Sequence, residues 1–277
     1  MAVLALPDGK LFYEWVTAAN GERTDRPILV FVHGWGGSAR YWKATATALS
    51  NSYDCLLYDM KGFGRSTIQT NAVSSLASCT ADLASLLKHL AIERLSIMSH
   101  SMGSSIATLF LGQYGAQVDQ AILTCGGIFE YDARAFQIFY KFGSGVVKFR
   151  PQWLTQVPGM DWLVMQRFLH RGLPKGDRQE FLEDFLMAAD NAALETMFDA
   201  VSEETSVALP QVYAELAMPT LMISGEYDRI IPVKLGQAAA ALNPDIEFTV
   251  QRNVGHFPML EDAPVFLDRV RSFLTAA

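Results

Sequence analysis

The sequence predicts an α/β protein: a mostly parallel central sheet flanked by helices, with one helical insertion. Three observations lead there. Six apolar runs end in glycine or polar residues without alternating between apolar and polar positions. Helical patterns fall between them. The alternation then breaks once, from about Gly127 to about Met218. Apolar runs without alternation belong to strands covered on both faces, as in a parallel sheet, and alternating strands and helices build such a sheet.

The first two segments, Val3 to Leu6 and Leu11 to Val16, do alternate, and Pro7-Asp8-Gly9 between them predicts an antiparallel hairpin. The buried strands follow as PILVFVHG (27–34), YDCLLYDMKG (53–62), RLSIMSHS (94–101), QAILTCGG (120–127), PTLMISGE (219–226) and IEFTVQRN (246–253). Helical patterns lie near 40–50, 74–90, 102–114, 233–242 and 264–275; in the second, Leu76, Leu83, Leu86, Leu87 and Leu90 share a face. The stretch 127–218 is rich in aromatic residues, among them Phe139, Phe142, Trp153, Trp162, Phe168 and Phe181. Linkers lack such side chains to bury, so this stretch is a helical insertion, and 1–126 with 219–277 form the core.

Half of the 277 residues are hydrophobic, enough for a large core without disulfides. A net charge of −7 with no basic run argues against nucleic acid as a partner. The start, MAVLALPDGK, lacks a basic leader, and no apolar run is long enough to span a bilayer, so a soluble, cytoplasmic protein is expected. Cys55, Cys79 and Cys125 are odd in number and share no metal-ligand spacing, which predicts buried thiols and neither bridges nor zinc. No phosphate loop or dinucleotide fingerprint is present: HGWGGS (33–38) follows a strand but lacks the Lys-Ser/Thr ending.

The segment RLSIMSHSMGSSIATLFL reads as strand, sharp turn and helix, with Ser101 at the turn and the small residues Ser99 and Gly103 on either side. A serine there projects from the carboxyl edge of the sheet. Unpaired N–H groups open the following helix, so Met102 N–H is placed to donate to a developing oxyanion. A free serine needs a base. His256, after the last strand, and Asp228, after the strand before it, supply base and acid in the chain order Ser101, Asp228, His256. Glu226 is the rival acid. His33 is expected to shape its loop through hydrogen bonds, His100 to pack beneath Ser101, and His89 and His170 to be solvated. Asp59 and Arg65 are expected to pair within their turn, and Lys141, Lys148 and Arg150 to lie on a solvated helix face.

These residues resemble the α/β-hydrolase family. SHSMG is similar to its nucleophile elbow, HGWGGS to its oxyanion loop, YDMKGFGRS (58–66) to its Asp-x-x-Gly-x-Gly-x-Ser turn, and GEYDRIIP and GHFPMLEDAP to its acid and histidine loops. The resemblance covers most of the chain. It departs at Ser99, where most members have glycine, and Ser104 stands where a second glycine often follows. The resemblance implies an oxyanion hole formed by the Trp35 and Met102 N–H groups, and a helical lid at 127–218 between the sixth and seventh core strands. It implies a serine esterase acting on a lipophilic carboxylic ester without cofactor or metal. Thioesterase, lactonase, perhydrolase and carbon–carbon bond hydrolase chemistry use the same three residues, and a slow-turnover ligand receptor shares the fold.

Overall fold

The computed structural model describes residues 2–275, apart from the side chains of Ala135, Ile138, Phe139 and Phe142. The insertion's Phe139 and Phe142 side chains thus lie outside the described residues. The chain opens on the expected hairpin, β1 (Ala2–Leu6) and β2 (Gly9–Val16), with Leu6 opposite Gly9 across Pro7-Asp8. β3 (Ile28–Val32), α1 (Lys43–Leu49) and β4 (Asp54–Tyr58) follow. A two-residue strand that the sequence did not signal, β5 (Thr67–Ile68), pairs with β2. Then come α2 (Leu76–His89), β6 (Leu95–His100), α3 (Met102–Tyr114) and β7 (Val118–Thr124). After the insertion, β8 (Thr220–Gly225) and β9 (Ile246–Gln251) complete a sheet ordered β1-β2-β4-β3-β6-β7-β8-β9. Every pairing from β4 to β9 is parallel.

Why the runs lack polar alternation is visible in β3. Ile28, Val30 and Val32 enter one buried cluster with Leu83 and Leu86 of α2 and Ile106 and Phe110 of α3, while Leu29 and Phe31 enter another with Trp42 and Phe266. Both faces are apolar because both are covered. β9 differs from the expectation of two covered faces. It is the sheet edge, paired with β8, with Glu247 exposed and Phe248 to Val250 half-buried.

Between β7 and β8 lie α4 (Ala133–Lys148), α5 (Met160–Met165), α6 (Lys175–Met187), α7 (Asp190–Asp199) and α8 (Glu203–Glu215), with no strand among the described residues. α8 packs against α3 and against α9 (Val233–Ala240), so the end of this stretch joins the core layer. α6 and α7 are fastened to core loops: Ser38 Oγ donates to Asp184 Oδ2 at 2.6 Å, and Ala189 N–H donates to the Gly62 carbonyl at 2.8 Å. Lys141 and Lys148 are exposed as expected. Arg150 is not on a solvated face: it is buried and donates to the Val147, Phe185 and Ala188 carbonyls at 2.7–2.9 Å, tying α4 to α6. α10 (Pro258–Glu261) and α11 (Ala263–Thr275) close the chain. Among the described residues no helix is long and apolar enough to cross a membrane. Cys55, Cys79 and Cys125 are buried free thiols.

Two contacts hold the strand ends close. A Cβ at Gly103 would stand 2.3 Å from the His33 carbonyl oxygen, so only glycine lets α3 start against the end of β3. Asp59, after β4, accepts from Arg65 Nε at 2.7 Å and from Ala39 N–H at 2.9 Å, joining its own turn to the loop after β3.

Gly103→Ala should therefore lower stability by about 2 kcal/mol or more through overpacking against backbone. Gly145→Ala, where an added Cβ meets nothing within 4 Å, should be neutral or gain up to about 1 kcal/mol. Urea midpoints compare them; equal stabilities would contradict the close-approach reading. Burial by itself would raise the Asp59 carboxyl, but Arg65 bonded to it holds it below the ordinary value of 3.8. A depressed native value means that the pair's contribution is present above that ordinary value and lost as pH falls through the native one. Asp59→Asn should thus cost about 3 kcal/mol at pH 7, and the gap from the parent should narrow below about pH 4. Denaturant titrations across this range check the sign.

Candidate active site

Four loops meet at the carboxyl edge of the sheet, after β3, β6, β8 and β9, where an open α/β sheet collects its ligands. Ser101 sits between β6 and α3 with φ 56° and ψ −126°, a backbone conformation rare for a residue with a side chain. Ser101 N–H donates to the Thr124 carbonyl at 2.9 Å and Gly103 lets the helix approach, so both sides of the turn enforce it. Ser99 and Ser104, the departures from glycine, face each other. Their hydroxyls lie 3.1 Å apart, and they reach the β7 carbonyls of Ile122 and Thr124 at 3.3 and 3.1 Å. Here two serines stitch the turn to the neighbouring strand where glycines would only clear space.

Ser101, His256 and Asp228 come together as the sequence order suggests. Asp228 Oδ2 lies 2.7 Å from His256 Nδ1, and His256 Nε2 lies 2.9 Å from Ser101 Oγ. The partners set the tautomer: Nδ1–H donates to the carboxylate, which leaves Nε2 to accept the serine proton. The other oxygen of Asp228 accepts the Ile230 and Ile231 N–H groups at 2.8 and 3.0 Å. Burial alone would raise the Asp228 carboxyl, yet His256 and these amides hold it below the usual carboxylate value, so it is ionised at neutral pH. Glu226 is exposed and accepts instead from Asn253 N–H at 2.9 Å.

Trp35 and Met102 flank Ser101. Met102 opens α3, and the loop carrying Trp35 lies against the serine, with a Cβ at Gly34 only 3.0 Å from Ser101 Cβ. The Trp35 indole donates to the Ala193 carbonyl at 2.8 Å, which ties this loop to α7. His33 accepts from Met60 N–H at 2.8 Å and donates to the Gly34 carbonyl at 2.9 Å; burial lowers its pKa, so it is a neutral brace between two loops. His89 and His170 are exposed.

His100 does more than pack beneath Ser101. Its Nε2–H donates to the His256 carbonyl at 2.7 Å, and its Nδ1 accepts from Tyr41 Oη at 3.0 Å; Tyr41 in turn accepts from Gly34 N–H. Burial, with His256 beside it, pushes the His100 pKa well below normal, so the ring stays neutral and the chain of bonds keeps one direction. Tyr41 carries no motif signal. Nor does Glu261: its carboxylate accepts the N–H groups of His170 and Arg171 at 2.8 Å, of Gly255 at 2.9 Å and of Phe257 at 3.1 Å. Its sequence trace is its place inside GHFPMLEDAP, five residues after His256.

His100, Cys125 and His256 place their ligand atoms within 4.8 Å of one another. Both histidines already spend their nitrogens on the bonds above, and burial holds the Cys125 thiol protonated, with its pKa well above normal. That donor set does not fit a metal ion. Instead a cavity of about 60 Å³ opens on Ser101 and His256, walled by Trp35, Tyr41, Phe168, Phe181, Ile230 and Phe257. Trp153 and Trp162 are exposed and outside it.

The sequence profile of the alpha/beta hydrolase fold matches residues 27–263. The uncharacterized protein Rv2715 of Mycobacterium tuberculosis is 26% identical over 266 residues, covering 90% of this chain and 75% of that protein. The crystal structure of a hydrolase from Pseudomonas aeruginosa PA01 superposes with a TM-score of 0.80 at 22% identity, covering 99% of this chain and 98% of that one. A thermophilic esterase from Thermogutta terrifontis gives a TM-score of 0.78 at 21% identity, covering 98% and 96%. With a profile match that runs from the start of β3 into α11, the chain belongs to the alpha/beta hydrolase fold family.

Proposed function

We propose that the protein is a serine hydrolase that cleaves carboxylic esters through an acyl-enzyme, with an apolar group of the substrate seated in the cavity beside Ser101. The observation that carries this reading is the unbroken run of hydrogen bonds from Asp228 through His256 to Ser101, at 2.7 and 2.9 Å. In the reaction, His256 Nε2 takes the Ser101 proton as Oγ attacks the acyl carbon. The Trp35 and Met102 N–H groups donate to the oxyanion, and Nε2–H returns its proton to the departing alkoxide. Water then attacks the acyl-enzyme, giving a proton to Nε2, and the carboxylic acid leaves with Ser101 restored. Asp228 stays ionised throughout and stabilises the imidazolium, as its depressed pKa favours.

The apolar wall supports a lipophilic part in the ester. The segment between β7 and β8 acts as a lid in this reading: its Phe168 and Phe181 line the cavity together with Ile230 and Phe257. A cytoplasmic site of action and a small-molecule ester as partner complete the proposal.

Ser101→Ala should remove turnover by a factor on the order of 10⁴ to 10⁶ while the fold is retained. His256→Ala should cost a similar factor, and the double variant little more, because the two act as one unit. Multiplicative losses in p-nitrophenyl acetate hydrolysis would show that they act separately. Asp228→Asn should lower kcat by a factor on the order of 10³ to 10⁴, whereas Glu226→Gln should change it by less than about threefold. A larger loss from Glu226→Gln would reassign the acid.

A further inference from the structure

The geometry points to a short-acyl specificity: the cavity beside Ser101 admits acyl groups of two or three carbons, acetyl to propionyl, and the rings of Phe168 and Phe181 set that limit. The inference rests on the serine hydrolase reading and narrows its substrate class. An apolar cavity of about 150 Å³ takes one benzene, so a volume of about 60 Å³ holds about two or three carbon atoms. The acyl carbon stays bonded to Ser101 through the intermediate, whereas the alcohol must leave and water must enter. The walled space beside Ser101 therefore suits the acyl group, and the lengthening of acyl chains is favourable only until this small volume is filled.

The wall is fixed. Phe168, Phe181 and Phe257 pack ring on ring at 5.5–6.1 Å between centroids. The Phe168 carbonyl accepts His256 N–H at 2.7 Å, and Glu261 binds the amides of His170 and Arg171 together with those of Gly255 and Phe257. These bonds tie the Phe168 backbone to the loop that holds His256, and the Phe168 ring is held by its contacts with Phe181 and Phe257. Phe181 also borders a second space. It and Tyr41 line both this cavity and a neighbouring one of about 420 Å³ whose walls include Glu14, Arg40, Lys43 and Arg65. Removing the Phe181 ring therefore enlarges the space beside Ser101.

The test is kcat/KM for p-nitrophenyl acetate, propionate, butyrate, hexanoate and octanoate, with stoichiometric labelling of Ser101 by a small fluorophosphonate as a measure of the nucleophile that does not depend on acyl length. The parent should peak at acetate or propionate and fall at least about tenfold by hexanoate, since each excess methylene exceeds the space between Ser101 and the phenylalanine rings. Phe181→Ala should raise the hexanoate-to-acetate ratio at least about tenfold. Phe181→Leu and Phe168→Ala should move it the same way by less, which keeps the test open if the alanine variant does not fold. Trp162→Ala, at a side chain 57% exposed and outside the cavity, should leave the profile unchanged. A parent profile that is flat or rises to hexanoate overturns the inference while labelling upholds the hydrolase. A profile flat in acyl length but steep across a series of alkyl acetates also overturns it, by placing the alcohol in the cavity. Absence of both labelling and turnover removes the hydrolase reading itself.

Discussion

The turn between β6 and α3 is the constraint on which the rest depends. Ser101 has a backbone conformation that costs on the order of 1–3 kcal/mol for a residue with a side chain, and it persists because its surroundings leave no alternative. The Ser101 amide is bonded to β7, and α3 begins in contact with the end of β3 at a distance that excludes any Cβ at position 103. The serine pair at 99 and 104 adds bonds to the β7 carbonyls. Strand pairing on both sides of β6 supplies the rigidity, and the placement of Ser101 at the cavity is its consequence.

Around that turn, buried polar groups fix the remaining loops. Unpaired, each would be costly in a dry interior, so each has its partners. Tyr41 and His100 connect the Gly34 amide to the His256 carbonyl, and Glu261 gathers four amides from the insertion and the histidine loop. Asp59 holds the loop after β3 against its own turn. The loops after β3 and β9 are thereby cross-braced through groups that take no part in the proposed proton transfers. Low dielectric strengthens these bonds, and the neutrality of His33 and His100 is what lets them accept as well as donate.

The helical segment between β7 and β8 is bound to the rest of the fold by directional contacts as well as by apolar packing. Trp35 to Ala193, Ser38 to Asp184, and the Glu261 amides all cross from core to insertion within reach of the site. Its aromatic residues accordingly divide by role. Phe168 and Phe181 line the cavity that Ser101 opens on, whereas Trp153 and Trp162 face solvent.

Most of the architecture was legible in the sequence, because the signals are local. Apolar runs marked β3, β4, β6, β7 and β8, Pro7-Asp8-Gly9 marked the hairpin, and the small residues around Ser101 marked the tight turn. Chain order then brought Asp228 and His256 to the strand ends beside it. What the sequence left open is everything that depends on which distant side chains become neighbours. β5 is two residues long and exists only because β2 lies beside it; β9 reads like a covered strand but lies at an edge; Arg150 reads as a solvated cation but is enclosed by four partners. Tyr41 and Glu261 are ordinary residues until folding places amides around them. The size of the cavity depends on how side chains from distant segments pack, the Phe168 and Phe181 rings against Phe257 among them. Periodicity and turn chemistry act over a few residues and are written in composition, whereas a cavity is the residue of many weak contacts between segments far apart in the chain, which only the packed tertiary structure fixes.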